Sequence, residues 1–76
     1  MSRWSPCKRK DAIRKLKKLG YEGPSQGGRH QYLEMGSHRL TLFSNEEYSV
    51  NQVRLLLREA GGQLNRTIDL EMWSNL

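Results

Sequence analysis

Several residue patterns from which enzyme sites are usually built are missing. The single cysteine, Cys7, cannot form an internal disulfide and cannot hold a metal ion by itself. The sequence contains no CxxC or HExxH metal spacing, no GxGxxG nucleotide loop and no GxSxG nucleophile elbow. We therefore expect a protein that works without a metal ion or another cofactor.

Long apolar segments are also missing. The longest unbroken apolar run is Leu55–Leu57, whereas a transmembrane helix needs roughly 20 apolar residues. The basic N-terminus is not followed by the apolar segment of a secretory signal. Because disulfide-forming cysteines are absent as well, we expect a cytoplasmic protein without a membrane partner.

The chain is short and polar, with 76 residues, a hydrophobic content of 36% and a mean hydropathy of −0.83. A chain of this length buries only about 60% of the surface that it exposes when unfolded. We expect one small domain over residues 1–76, with a single core and no room for a dinucleotide-binding fold.

Positive charge is concentrated at one end of the sequence. The net charge is +5, yet residues 1–18 hold eight basic side chains and one acidic side chain. Residues 19–76 hold five basic and seven acidic side chains. This asymmetry is typical of a protein with an anionic partner such as nucleic acid, although a solvated basic helix face would give the same pattern.

A first helix is predicted over residues 6–19. Ser5 is a suitable N-cap, Pro6 suits the first helical position, and Gly20 suits the residue after the helix. The apolar residues recur at helical spacing: Ala12, Ile13, Leu16 and Leu19. The opposite face is basic: Lys10, Arg14, Lys17 and Lys18. Residues 20–28, rich in glycine, read as a loop with at most a short extended piece.

A β-hairpin is predicted from two alternating segments, residues 29–35 and 38–43. Gly36-Ser37 between them suits a two-residue type II′ turn, and that turn pairs Leu33 with Leu40 and Glu34 with Arg39. Side chains that share a face then divide into two sets. The predicted core face carries Leu33, Met35, Leu40 and Leu42, and the polar face carries His30, Tyr32, Glu34, Arg39 and Thr41.

A second helix is predicted over residues 50–60. Ser49 and Gln52 have the spacing of a capping box, and Gly61-Gly62 is expected to end the helix. The tail, residues 62–76, is ambiguous because its apolar residues fit either a strand or a short helix. We expect the short helix, with Thr67 as its N-cap.

His30 is the residue best suited to chemistry. It follows a glycine pair and shares the polar hairpin face with Tyr32 and Arg39. A neutral imidazole there could take the proton from a ribose 2′-OH, and a basic side chain could neutralise the charge that develops on the phosphate. A histidine on a polar strand face is also often an ordinary surface residue. His38, beside the turn, is the weaker candidate.

The order and spacing of several short segments resemble a known family. They are Lys10-Asp11 at the first helix, Gly20-Tyr21 at its end, Gly28-Arg29-His30 about ten residues later, and Glu59-Ala60-Gly61 in the second helix. Between about Lys8 and Gly61 the chain is therefore similar to the HicA-type (YcfA-like) mRNA interferase toxins of bacterial type II toxin–antitoxin systems. The sequence departs from that family at Phe43–Glu46, where a Pro-Asn-Pro-His pattern is common.

The resemblance implies an α+β fold, specifically a double-stranded-RNA-binding-like α-β-β-β-α domain with helices packed on one face of an antiparallel sheet. It implies metal-independent cleavage of mRNA with a catalytic histidine, and neutralisation by a HicB-type antitoxin. The family's Gly-Ser-His motif is spelled by residues 36–38, but His30 has the required distance from Gly20, and His38 does not. The catalytic role is therefore carried to His30.

For RNA cleavage we expect RNA contacts from five side chains and one glycine: Lys10, Arg14, Gly28, Arg29, Tyr32 and Arg39. Two functions other than cleavage also fit the residues. The same contacts would serve a non-catalytic module that binds RNA or a protein. A small structural protein whose basic helix only keeps it in solution is the third alternative.

Overall fold

A computed structural model of the protein describes residues 3–76. The chain is α+β with antiparallel strands, as the sequence predicts, but it has two sheets where one was expected. In chain order the elements are β1 (Cys7–Lys8), α1 (Arg9–Lys18), β2 (Glu22–Gly27), β3 (His30–Met35), β4 (His38–Thr41), β5 (Glu47–Tyr48), α2 (Val50–Leu64) and α3 (Leu70–Ser74). Strands β2, β3 and β4 form one sheet in that order, and β1 pairs with β5 in the other.

One hydrophobic core joins the helices to one face of the three-stranded sheet. Leu33, Leu40 and Leu42 from the sheet are buried, as are Ala12 and Leu16 of α1. The remaining buried residues come from the α1–β2 turn, β5, α2 and the tail: Tyr21, Tyr48, Val53, Leu56, Leu57, Ala60, Ile68 and Trp73. The second face of the sheet is left free of this cluster. Among residues 3–76, no helix combines the length and the apolar character that crossing a membrane requires.

The hairpin register is confirmed. Leu33 pairs with Leu40, Glu34 with Arg39, and Met35 with His38. Gly36 has a φ of +59°, while Ser37 is not among the residues with positive φ, the combination expected of a type II′ turn. The strands themselves are slightly shorter than predicted, at residues 30–35 and 38–41 instead of 29–35 and 38–43.

Strand β2 corrects the prediction that residues 20–28 form a loop. Gly27 pairs with His30, so Gly28-Arg29 is a second two-residue turn that begins with glycine, here with a φ of +61°. The glycine and proline that argued against a strand, Gly23 and Pro24, lie where the register shifts between Glu22 and Ser25. A β-bulge accommodates such residues because its ladder is already interrupted.

Helix α1 starts later than the predicted residue 6. Its N-cap is Lys8, and no side chain caps it, so the expected roles of Ser5 and Pro6 are wrong. The reason is that Cys7 and Lys8 pair with Tyr48 and Glu47 of β5, which holds them extended. The end of the helix agrees better with prediction, because Gly20 follows it with a φ of +115°.

Helix α2 begins with the predicted capping box but continues past Gly61-Gly62 to Leu64. It ends on Asn65, which has a φ of 56°, with Arg66 N–H donating to the Gly61 carbonyl at 2.9 Å. This is the Schellman arrangement with asparagine in the left-handed position. The glycine pair therefore lies within the last turns of the helix and not after it.

The two adjacent glycines of α2 should respond in opposite directions to alanine. A Cβ on Gly61 would lie 2.7 Å from the Arg66 carbonyl oxygen, whereas a Cβ on Gly62 would meet nothing within 4 Å. Gly62→Ala should therefore stabilise the fold by about 0.5–1 kcal/mol, because alanine restricts the unfolded chain and favours helix. Gly61→Ala should destabilise it. Urea denaturation followed by circular dichroism measures both, and equal shifts would contradict the prediction.

The tail forms the expected short helix, α3, over Leu70–Ser74. Its N-cap is Asp69, whose carboxylate accepts a hydrogen bond from Met72 N–H at 2.8 Å, so the predicted cap Thr67 is wrong. Trp73 is buried against the core, and its carbonyl accepts a hydrogen bond from the Lys15 ammonium at 3.1 Å. The tail thus packs on the same domain as the rest of the chain.

Candidate functional site

His30 is the first residue of β3 and is exposed. It shares the free face of the sheet with Tyr32 and Arg39, as the alternation predicts. Its place next to the Gly28-Arg29 turn puts it at one end of the sheet. From there it borders a cleft between the end of β4 and helix α2.

The cleft beside His30 brings polar and apolar groups together. Its lining includes Glu59 and Leu55 from α2 and Asn45 from the β4–β5 connection. Of residues 3–76, Glu59 is the one other ionisable side chain that lines it. The cleft therefore offers a histidine and a carboxylate, two side-chain types that can act as general acid or base without a metal ion. Sequence analysis named Glu59 only within the Glu59-Ala60-Gly61 pattern, and it assigned neither Glu59 nor Asn45 to a site.

Residues 41–45, which form one wall of this cleft, are fixed by hydrogen bonds to the backbone of Phe43. The Phe43 carbonyl accepts hydrogen bonds from the Tyr48 hydroxyl at 2.6 Å and from Arg9 Nε at 3.2 Å. Arg9 also donates through Nη2 to the side chain of Gln31, the residue after His30. One half-buried guanidinium thus ties the start of β3 to the connection after β4.

Asn45 is fixed by a reciprocal pair of hydrogen bonds. Its amide donates to Gln52 Oε1 at 2.9 Å and accepts from Gln52 Nε2 at 2.9 Å. Gln52 is itself the capping-box residue of α2, bound to the backbone of Ser49. The cleft wall and the start of α2 are therefore one hydrogen-bonded unit.

Tyr32 and Arg39 form a cation–π pair on the free face of the sheet. The Arg39 guanidinium carbon lies 4.5 Å from the centre of the Tyr32 ring. The ring also lies against Gly27, where an added Cβ would come within 2.6 Å of a ring carbon. Tyr32 therefore holds Arg39 in place, and stacking a base on that ring face would require Arg39 to move.

A short chain of hydrogen bonds sets α2 beside β4. The Tyr21 hydroxyl donates to Gln63 Oε1 at 2.5 Å, and Gln63 Nε2 donates to the Arg39 carbonyl at 2.8 Å. Burial, and then the negative charge of Glu59, raises the pKa of Tyr21 above its usual value. The phenol therefore stays protonated and available as a donor at neutral pH.

Gly28 and Arg29, both predicted RNA contacts, form the turn next to His30 and are exposed. Space around Gly28 is open, since an added Cβ would meet nothing within 4 Å. Glycine is needed at this position for its φ of +61° and not for lack of room.

The other two predicted RNA contacts, Lys10 and Arg14, lie elsewhere. Both line a groove formed by the N-terminal segment, α1 and α3, which we call the α1 groove. Three further basic side chains line it, together with two acidic ones: Arg3, Lys8, Lys15, Asp11 and Glu47. The predicted site is thus divided between the His30 cleft with the sheet face and this second basic surface.

Cys7 also lines the α1 groove. Burial raises the pKa of its thiol, and Lys15 and Arg14 oppose that shift while Asp11 adds to it. The thiol is therefore mainly protonated and weakly nucleophilic at neutral pH. Among residues 3–76, no group of three or more His, Cys, Asp or Glu side chains is arranged to hold a metal ion.

The comparisons with known proteins add no relative to this description. No family model, curated protein or solved structure matches the chain. The functional argument therefore depends on the residues of the cleft and of the basic surfaces.

Proposed function

We propose that the protein is a metal-independent endoribonuclease of the HicA type, with His30 as its general acid or base. The observation that carries the proposal is the exposed His30 beside a cleft that also holds Glu59. The helix, three antiparallel strands and helix of the central segment support a double-stranded-RNA-binding-like fold as part of the same proposal.

The chemistry needs little from the protein because the RNA supplies its own nucleophile. The ribose 2′-oxygen attacks the adjacent phosphorus, the bond from phosphorus to the 5′-oxygen breaks, and a 2′,3′-cyclic phosphate and a 5′-hydroxyl result. One group must accept the 2′-OH proton and another must donate a proton to the leaving oxygen. His30 and Glu59 are the two groups of the cleft that can divide these tasks. We expect Arg29, in the turn next to His30, and Arg39, on the same face of the sheet, to stabilise charge on the phosphate.

The cleft also has a feature that suits a protein partner. Leu55, at its edge, is the one large hydrophobic residue among residues 3–76 that is clearly exposed, at 52%. An apolar side chain left in solvent beside a charged site favours a partner that covers both. We propose that a HicB-type antitoxin occupies this position and blocks access to His30.

The chemistry can be tested with the purified protein and a single-stranded RNA. We expect cleavage that is unchanged by EDTA and yields 2′,3′-cyclic phosphate ends. An RNA of the same sequence with 2′-O-methyl groups should stay intact, because its nucleophile is blocked. Cleavage of the methylated strand, or products with 5′-phosphate ends, would overturn the proposed reaction.

A second function has its own support in the structure. Lys10 and Arg14 lie in the α1 groove and not in the His30 cleft. A non-catalytic module that binds RNA through this surface would use them without His30. RNA binding with steep salt dependence and no cleavage would favour this alternative.

A further inference from the structure

A third basic surface lies along helix α2, where no function was predicted. A groove runs between α2, the loop after it and Trp4 of the N-terminal segment, and we call it the α2 groove. Three arginines line it: Arg54, Arg58 and Arg66. They are three of the five basic residues that occur after residue 18. The groove therefore collects most of the positive charge of an otherwise acidic part of the chain.

The charge of the α2 groove is little compensated. In the part of the chain that the structure describes, its one acidic lining residue is Asp69. The Asp69 carboxylate already accepts a hydrogen bond from the Met72 N–H as the cap of α3. Arg54 lies over the Trp4 ring, with its guanidinium carbon 5.7 Å from the ring centre. Within residues 3–76, the side-chain hydrogen bond of Arg66 is a weak one to the Met72 sulfur at 3.6 Å. The guanidinium groups thus keep most of their donors available for a ligand.

The α2 groove adjoins the α1 groove. Leu70 lines both. In the N-terminal segment, Trp4 lines the α2 groove, and its neighbours Arg3 and Ser5 line the α1 groove. The two grooves together form an extended cationic surface that passes from α1 across the N-terminal segment to α2. A surface of this shape fits a long polyanion better than a small anion.

We propose that the α2 groove binds the phosphate backbone of single-stranded RNA, outside the His30 cleft. Guanidinium groups bind phosphate oxygens through paired hydrogen bonds, and Arg54 and Arg58 stand one helical turn apart on the same side of α2. Trp4 is half-buried beside the groove, and its ring becomes an aromatic surface for a base when Arg54 moves from the ring to a phosphate. An indole ring can stack on a base, whereas an acidic protein would contact only the positive charges of the groove. Trp4 therefore favours RNA as the ligand. The choice of RNA follows the proposed function, but the binding does not require cleavage.

The test compares two double variants that each remove two positive charges from exposed helix positions. Arg54→Gln/Arg58→Gln changes the groove, and Lys17→Gln/Lys18→Gln changes α1 residues that line neither groove. Fluorescence anisotropy would measure binding of a labelled 2′-O-methyl RNA, which resists cleavage, at several salt concentrations. Thermal unfolding would show that both variants are folded.

We expect the arginine variant to bind at least 10-fold more weakly. The slope of log binding constant against log salt concentration should become shallower by roughly 1.4, since each phosphate contact with a single strand contributes about 0.7. The lysine variant should change affinity by less than about 2-fold, as expected for charges outside the contact surface. Trp4→Phe should remove the quenching of tryptophan fluorescence that RNA causes in the parent. Equal losses in the two double variants would overturn the proposal, as would unchanged RNA affinity or poly-glutamate competing as well as RNA.

The outcome separates this inference from the proposed function. If the parent binds RNA through the arginines but never cleaves it, the ribonuclease proposal fails and the α2 groove stands. If His30 proves catalytic while the arginine variant binds RNA normally, the α2 groove proposal fails and the ribonuclease proposal stands.

Discussion

Replacing His30 with alanine should lower the rate of RNA cleavage by about 10²–10⁴-fold, the usual contribution of a general acid or base. His30 is exposed and makes no side-chain hydrogen bond among those of residues 3–76, so the change should leave the fold intact. Rates are measured with a labelled single-stranded RNA in EDTA, and thermal unfolding is measured on the same samples. The affinity for 2′-O-methyl RNA should change much less than the rate.

The matched control is His38→Ala. His38 is also an exposed strand residue, but it pairs with Met35 beside the Gly36-Ser37 turn and does not border the cleft. Its replacement should change the rate by less than about 3-fold, well below the range of an acid–base residue. A large loss in His38→Ala with none in His30→Ala would move the catalytic role to the Gly-Ser-His copy at residues 36–38. Full cleavage activity in both variants would exclude both histidines as the catalytic residue and overturn the assignment to His30.

Replacing Tyr48 with alanine should remove a large part of the stability of the fold. Tyr48 is fully buried, its hydroxyl donates to the Phe43 carbonyl at 2.6 Å, and its ring meets that of Phe43 edge-on at 5.7 Å. Removing an aromatic ring from a core costs about 3–5 kcal/mol. A domain of this length has a total stability of roughly 4–11 kcal/mol. Urea denaturation measures the loss, and a change below about 1 kcal/mol would contradict this account of the core.

Tyr48→Phe isolates the hydroxyl group. It should cost only about 0.5–1.5 kcal/mol, because Arg9 Nε still donates to the Phe43 carbonyl.

Burial raises the pKa of Tyr48, and the nearby charge and hydrogen bond of Arg9 oppose that shift only in part. The stability that Tyr48 contributes is therefore fully present below its pKa in the unfolded chain, about 10. It is lost as the pH rises through the higher pKa of the folded state. Above pH 10 the parent should lose stability faster than Tyr48→Phe.

The elements predicted correctly are those whose signals are local. The β3–β4 register follows from Gly36-Ser37 and the alternation around it, and the start of α2 follows from Ser49 and Gln52. In both places the interacting residues are only a few positions apart. Turn and cap chemistry alone therefore decides the structure.

The errors occur where distant residues decide the structure. Helix α1 begins after Lys8 because β1 pairs with β5, and nothing near Ser5 or Pro6 reveals that partner. Strand β2 is hard to predict because Gly23 and Pro24 oppose a regular strand, although Gly28-Arg29 repeats the same turn pattern as Gly36-Ser37. That repetition was the available signal.

The candidate site divides in the same way. The face of His30 followed from counting along the hairpin, because alternation is a property of the strand itself. Glu59 and Asn45 reach the cleft only through the packing of α2 beside β4, which no local pattern encodes. The separation of Lys10 and Arg14 from His30 has the same cause.

The two sheets also differ in how they can assemble during folding. Strands β2, β3 and β4 are joined by two-residue turns, so each pairing closes a very short loop at little entropic cost. The β1–β5 pair instead joins residues 7 and 48, which are separated in sequence by α1 and by the β2–β3–β4 meander, and it consists of two residue pairs. Contacts of such long range form late when little else supports them. The meander that carries His30 should therefore be in place before the N-terminal segment closes over the core and completes the two basic grooves.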